Sequence, residues 1–144
     1  LQAYQSYRFE GTLGVGAYLA VVAGVAAGNC NLPAAQNAKG FMGFTADSLT
    51  AAQCAYSTLP TVPVYRGRCR AIASAVNGGV ITHGHWVRIS NANGQIEDCQ
   101  ALVDAAPGTA AEINVIGKAE TDTAAAGQQL FVTTQEFVVQ IAVS

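Results

Sequence analysis

Residues 64–99 read VYRGRCRAIASAVNGGVITHGHWVRISNANGQIEDC, and this stretch decides the fold class. Over Val64–Ala73 the three arginines Arg66, Arg68 and Arg70 fall on one face of an extended chain. Tyr65, Cys69 and Ile72 fall largely on the other, and a period of two is the mark of a strand with one wet face. Asn77-Gly78-Gly79 is a tight turn. Val80–Thr82 and Trp86–Ile89 follow as strands, interrupted at Gly84. Asn93-Gly94 is the strongest hairpin signal in the chain and leads into Gln95–Cys99.

The same alternation of short apolar runs and turn signals extends in both directions. Towards the C-terminus, a Pro107-Gly108 loop precedes strands expected over Ile113–Ala119, Gln129–Thr134 and Glu136–Val143. Towards the N-terminus, Ala17–Val22 is the best strand candidate and Phe41–Phe44 reads as a short buried strand. Gly28-Asn29 marks a turn between them, and Pro33 with Asn37 marks a loop. Asp47–Tyr56 reads as a helical turn, with Asp47 or Ser48 as N-cap and Pro60 and Pro63 ending it. Strands of about six to eight residues at this spacing make an all-β fold, a small barrel or sandwich with one short helical turn. The expected organisation is an extended N-terminal arm over residues 1–12 and a single β-barrel domain over 13–144. A faint internal echo accompanies it. Phe41–Ala46 followed by Ala51-Ala52 lines up with Val115–Glu120 followed by Ala125-Ala126, which suggests a duplicated architecture.

Composition narrows the function. The chain has 144 residues, with 7 Lys plus Arg against 9 Asp plus Glu, for a net charge of −2. Charged residues make up 11% and hydrophobic residues 51%, against about 25% charged in an ordinary soluble domain. Such a chain is not disordered, and seven dispersed cations argue against a nucleic-acid partner. The longest apolar stretch, Leu13–Ala27, falls short of the roughly 20 residues a membrane span needs and carries three glycines. Only Arg8 lies upstream of it, so nothing argues for a secretory signal. A surface this poor in charge is either buried in an assembly or kept soluble by Ser, Thr, Asn and Gln.

No catalytic motif stands out. GxSxG, HExxH, P-loop and GxGxxG patterns are missing. Glu97 and Asp98 are adjacent and face opposite ways on a strand, so they form no acid/base pair by themselves. His83-Gly84-His85 is the one pattern suited to a metal: on an extended segment both rings project from one face, with Cys69 or Asp98 as a third ligand. The plainer reading is a bend at Gly84 flanked by two surface or interface histidines. Near-neutral titration of these rings would make an interface pH-sensitive. Cys30, Cys54, Cys69 and Cys99 match no zinc-ligand spacing and read either as semi-buried thiols or as one or two disulfides. Tyr4, Tyr7, Arg8 and Phe9 form an aromatic arm that docks on its own barrel or on a neighbouring subunit. Arg66, Arg68 and Arg70 read as a solvated or ion-paired face. Trp86 with Tyr65 is a candidate sugar-stacking platform, which keeps a carbohydrate-binding β-sandwich module open as a second reading.

The order of these signals resembles the small capsid decoration (cement) proteins of tailed bacteriophages. The matching elements are Phe41-Met42-Gly43-Phe44, Val64-Tyr65-Arg66-Gly67, the Ile81/Trp86-Val87 hairpin to Asn93-Gly94-Gln95, and Val115-Ile116-Gly117-Lys118-Ala119 with Ala124–Gly127. The family pattern carries an acidic residue where this chain has His85. The resemblance implies a β-barrel or tulip-like domain without catalytic residues or cofactor. It implies a homotrimer assembled in the host cytoplasm and seated on the outer surface of the virion, where it bridges neighbouring subunits of the major capsid protein. The partner-binding candidates are then Tyr4, Tyr7, Arg8, Phe9, Arg66, Arg68, Arg70 and Trp86. His83 and His85 remain the only metal candidates.

Overall fold

In the computed structural model, residues 3–56, 60–105 and 112–139 are described. The first circuit of the chain contains β1 (Ala3–Phe9), β2 (Gly14–Val15), β3 (Ala20–Ala23), β4 (Asn29–Asn31), β5 (Phe41–Thr45) and β6 (Leu49–Thr50). The helix α1 (Ala51–Tyr56) and β7 (Thr61–Arg66) complete it. The second contains β8 (Arg68–Ile72), a 3-10 turn at Val76–Gly79, β9 (Val80–Ile81), β10 (Trp86–Ile89) and β11 (Ile96–Asp98). It ends with α2 (Gln100–Asp104), β12 (Ile113–Ala119), β13 (Thr123–Ala124) and β14 (Gln129–Val139). The fold is all-β with two short helices.

The first circuit closes as a five-stranded barrel in the order β1-β4-β3-β5-β7, and the second forms a sheet in the order β11-β10-β12-β14-β8. These are two copies of one design. The pairs Val21↔Gly43 and Phe44↔Tyr65 recur as Val87↔Gly117 and Lys118↔Thr133. Val22↔Asn31 recurs as Arg88↔Glu97, and Tyr4↔Tyr65 as Arg68↔Thr133. Even the small two-stranded flap repeats, Val15↔Leu49 becoming Ile81↔Thr123. The first barrel closes through the parallel pair Phe9↔Cys30, and the second sheet through its counterpart, the parallel bridge Ala73↔Ile96. The echo between Phe41–Ala46 and Val115–Glu120 is therefore a true structural repeat.

The interiors repeat as well. Phe9, Val15, Val21, Cys30, Val62 and Val64 fill the first barrel. Their register counterparts Ala73, Ile81, Val87, Ile96, Leu130 and Val132 fill the second. Close sheet packing rests on one glycine per lobe. A Cβ on Gly43 (φ +148) would lie 2.4 Å from the Tyr65 carbonyl oxygen, and one on Gly117 would lie 2.6 Å from that of Thr133.

The structure corrects several expectations. Val64–Ala73 is two strands, because Gly67 turns the chain at φ 90 between the two lobes. Residues 3–9 are no arm: β1 pairs along Ala3–Arg8 with β7 and closes the barrel, with Phe9 only 2% exposed. The helix α1 is capped by Thr50 rather than Asp47 or Ser48. The Gln53 N–H donates to Thr50 Oγ1 (3.1 Å) and the Thr50 N–H to Gln53 Oε1 (2.8 Å), a capping box. The two C-terminal strands are one, β14 running unbroken through Gln135 to Val139 against a bulge in β12 between Val115 and Gly117. The Pro107-Gly108 loop and residues 140–143 lie outside the described residues.

Substituting Gly117→Ala is expected to cost about 2 kcal/mol, because the added methyl would press on both the Thr133 carbonyl oxygen and the buried Val132 side chain. Gly43→Ala is expected to cost more, since its positive φ adds strain. Urea unfolding of the two variants against the parent chain measures both.

Candidate functional site

The polar chemistry of the molecule gathers at the seam between the lobes. Asn37 (φ 61) is its centre. Its backbone N–H donates to the Ile89 carbonyl (2.9 Å) and its side-chain Nδ2 to the Glu112 carbonyl (2.7 Å). Its Oδ1 accepts from the Asn114 N–H (2.8 Å), and its carbonyl accepts from Asn114 Nδ2 (2.9 Å). Asn tolerates the left-handed conformation that this geometry requires. Nearby, Gln36 Nε2 donates to the buried Glu97 carboxylate at 2.6 Å, and Arg88 Nε stands 3.5 Å from the same group. Lys39 pairs with Glu112 at 2.7 Å. The apolar seal beneath these bonds comes from Ala20, Phe41 and Phe44 of the first lobe, which cluster with the second lobe's core. Of these seam residues the sequence offered Glu97 only as half of an adjacent carboxylate pair, and Asn37 only as a loop marker.

Two of the three arginines of the stripe are ion-paired within the chain. Arg66 meets Glu136, Arg68 meets Glu120 at 2.8 Å, and Arg70 pairs with no carboxylate among the described residues but donates to Gln129 Oε1 at 3.3 Å. The guanidinium groups of Arg68 and Arg70 lie 4.0 and 5.2 Å from the Phe131 ring centroid, and that of Arg70 lies 5.8 Å from Tyr18. Together with Phe44 and Tyr65 they line an open cleft of about 470 Å³ between the lobes.

The remaining candidates fall in separate places. Tyr4 is exposed and stacks on Tyr65 at 5.2 Å, and Arg8 is exposed. Tyr7 packs partly on the first core, and Phe9 is sealed inside it, so Phe9 presents nothing to a partner. Trp86 sits edge-on to Phe137 at 4.8 Å with Lys118 Nζ 5.2 Å from its centroid. Trp86 and Tyr65 thus belong to different ring pairs, and the sugar platform expected of them is not built.

His83-Gly84-His85 is a turn, not an extended segment: Gly84 has φ 83 and the His85 N–H donates to the Thr82 carbonyl. Each ring turns to its own carboxylate, His83 Nδ1 to Asp122 (2.8 Å) and His85 Nδ1 to Asp98 (2.7 Å). The His83 backbone N–H on the carboxylate, with the ring bond second, lowers the Asp122 pKa below its ordinary value. Among the described residues no three His, Cys, Asp or Glu side chains gather to hold a metal ion. Also among them, no helix is long and apolar enough to cross a membrane. The cysteines stand as thiols. Burial pushes Cys99 up to about 12 and Cys30 up to about 11.

No protein-family description and no curated protein matches the chain. A solved structure does: the N base of the head fiber gp8.5 of bacteriophage phi29. It aligns over 94% of this chain and 95% of that one, with a TM-score of 0.55 and 15% sequence identity. The two share a fold. At this identity the likeness speaks for the backbone architecture alone.

Two outcomes are expected. Asn37→Ala strips the seam of two side-chain bonds and places Ala in a left-handed conformation, for a loss of about 3 kcal/mol in thermal or urea unfolding. The thiol pKa values raised from 9.0 mean that the folded state holds protons the unfolded state gives up. Stability is therefore intact below about pH 9 and falls as pH rises towards 11 to 12, and an alkylating reagent at pH 8 labels half-buried Cys54 well before Cys30 and Cys99.

Proposed function

We propose that the chain is a structural protein of a tailed-phage virion, a decoration protein that binds the outer capsid surface and reinforces it without catalysing a reaction. The observation that carries this reading is the fold, shared along nearly its whole length with a phage head fiber base. The charge-poor composition supports it, since a surface with 11% charged residues gains from burial against neighbours. In this reading three copies sit together and bridge neighbouring subunits of the major capsid protein, and modest contacts multiply into avidity. With β1 built into the barrel, the grip comes from side chains on its outer face, Tyr4 and Arg8, and from the cleft bearing Arg70, rather than from a loose arm.

Mixing the chain with purified empty capsids of its cognate phage tests the reading. Saturable occupancy and a raised heat-disruption temperature of the shell are expected. Tyr4→Ala with Arg8→Glu is expected to lower occupancy at least tenfold while the chain stays folded. A chain that leaves such shells unbound and no more heat-resistant contradicts the proposal.

A further inference from the structure

The two lobes offer the same face to different neighbours. On the first lobe the outer face of β3 and β5 carries Ala20 and Phe41, and the second lobe covers it. The turn between β10 and β11 seats there: the Ala20 N–H donates to the Gly94 carbonyl at 2.8 Å, and a Cβ on Gly94 would lie 2.5 Å from the Ala20 oxygen. On the second lobe the register counterparts of Ala20 and Phe41 are Trp86 and Val115. Among the described residues no third lobe follows, and α2 stands in its place. The Trp86 N–H donates to Gln100 Oε1 (3.1 Å), and its carbonyl accepts from the Cys99 N–H (2.9 Å). Val103 and Cys99 pack with Val115, Ile113, Trp86 and Phe137 in an apolar cluster of their own. The helix lies in a connection longer than its counterpart. Asn31 and Glu97 correspond at an offset of 66 residues, Gly43 and Gly117 at an offset of 74.

The element that would dock on this face also has a counterpart, and it is uncovered. Gly28 (φ +82) in the β3–β4 turn matches Gly94 (φ +79) in the β10–β11 turn, and a Cβ on Gly28 would meet nothing within 4 Å. Val25 beside it is fully exposed. The turn is already held in shape by Glu10, whose carboxylate accepts from the Val25 and Ala26 N–H groups at 2.8 and 3.0 Å.

We propose that the outer face of β10 and β12 is a docking surface for the first lobe of a second copy of this chain, and that α2 is a built-in cap that occupies it. The contact copied is heterologous, so uncapped chains add head to tail, as repeat proteins do when their terminal cap is lost. The inference is independent of any capsid partner.

The test is the full chain carrying Gln100→Ala and Val103→Asp. Trp86 is the sole tryptophan, so a red shift of its emission reports uncovering, while far-UV circular dichroism reports that the sheets persist. Sedimentation velocity is expected to show a mass that grows with concentration beyond that of the parent chain. Adding Gly28→Asn, which keeps the left-handed turn but supplies a Cβ, is expected to return the mass to the parent value. A folded, uncapped variant that keeps the parent mass overturns the proposal, and so does association indifferent to Gly28→Asn. If the double variant fails to fold, Gln100→Ala alone carries the same measurement, with Gly28-dependent growth supporting the proposal and the parent mass overturning it.

Discussion

Asn37 ties the two lobes together because its backbone and side chain make four hydrogen bonds across the seam. Each lobe is built of short strands around a core of mostly small or medium side chains, Phe9 being the exception, too little buried apolar area to stand far above the entropy of ordering some 65 residues. The seam supplies what is missing. Phe41 and Phe44, on the outside of the first barrel, become interior once the second lobe arrives. Every backbone group they displace from water must then find a partner. Asn37 and Asn114 provide those partners reciprocally, and the Glu97 carboxylate is made tolerable there by Gln36 and Arg88.

Much of this was legible from residue order, for identifiable reasons. Ile113–Ala119 and Trp86–Ile89 have a period, a branched-residue content and flanking turns that agree, and they form strands as read. Asn93-Gly94 makes its hairpin because Gly94 takes the positive φ that the turn requires. The arginine stretch misled for a complementary reason: a two-residue period runs through Gly67 without showing that the backbone bends there from one sheet into the other. The His83–His85 pattern misled in the same way, since its metal geometry presumed an extended Gly84.

The duplication showed itself at one place only. Phe41–Ala46 and Val115–Glu120 share a glycine that both lobes need for close sheet packing. Elsewhere the copies hold the same position with different volumes, Phe9 against Ala73 and Cys30 against Ile96, so residue identity is lost while register survives. The offset between copies also shifts from loop to loop, which hides any fixed repeat length. The helix α2 escaped notice because it has five residues and no side-chain cap. The seam escaped because its polar members come from three distant segments. The exposed candidates on β1 and β8 remain surface groups whose partners belong to the proposal rather than to the fold.

The central claim is that two lobes of one design stand as one cooperative unit because of the seam. Native-state amide hydrogen exchange in increasing low denaturant measures it directly, at the seam amides of Ala20, Asn37 and Asn114 beside the core amides of Val21 and Val87. The account predicts that all five exchange with the same free energy and the same denaturant dependence, that of global unfolding. Seam amides that exchange through a smaller opening, while Val87 stays protected, would contradict it.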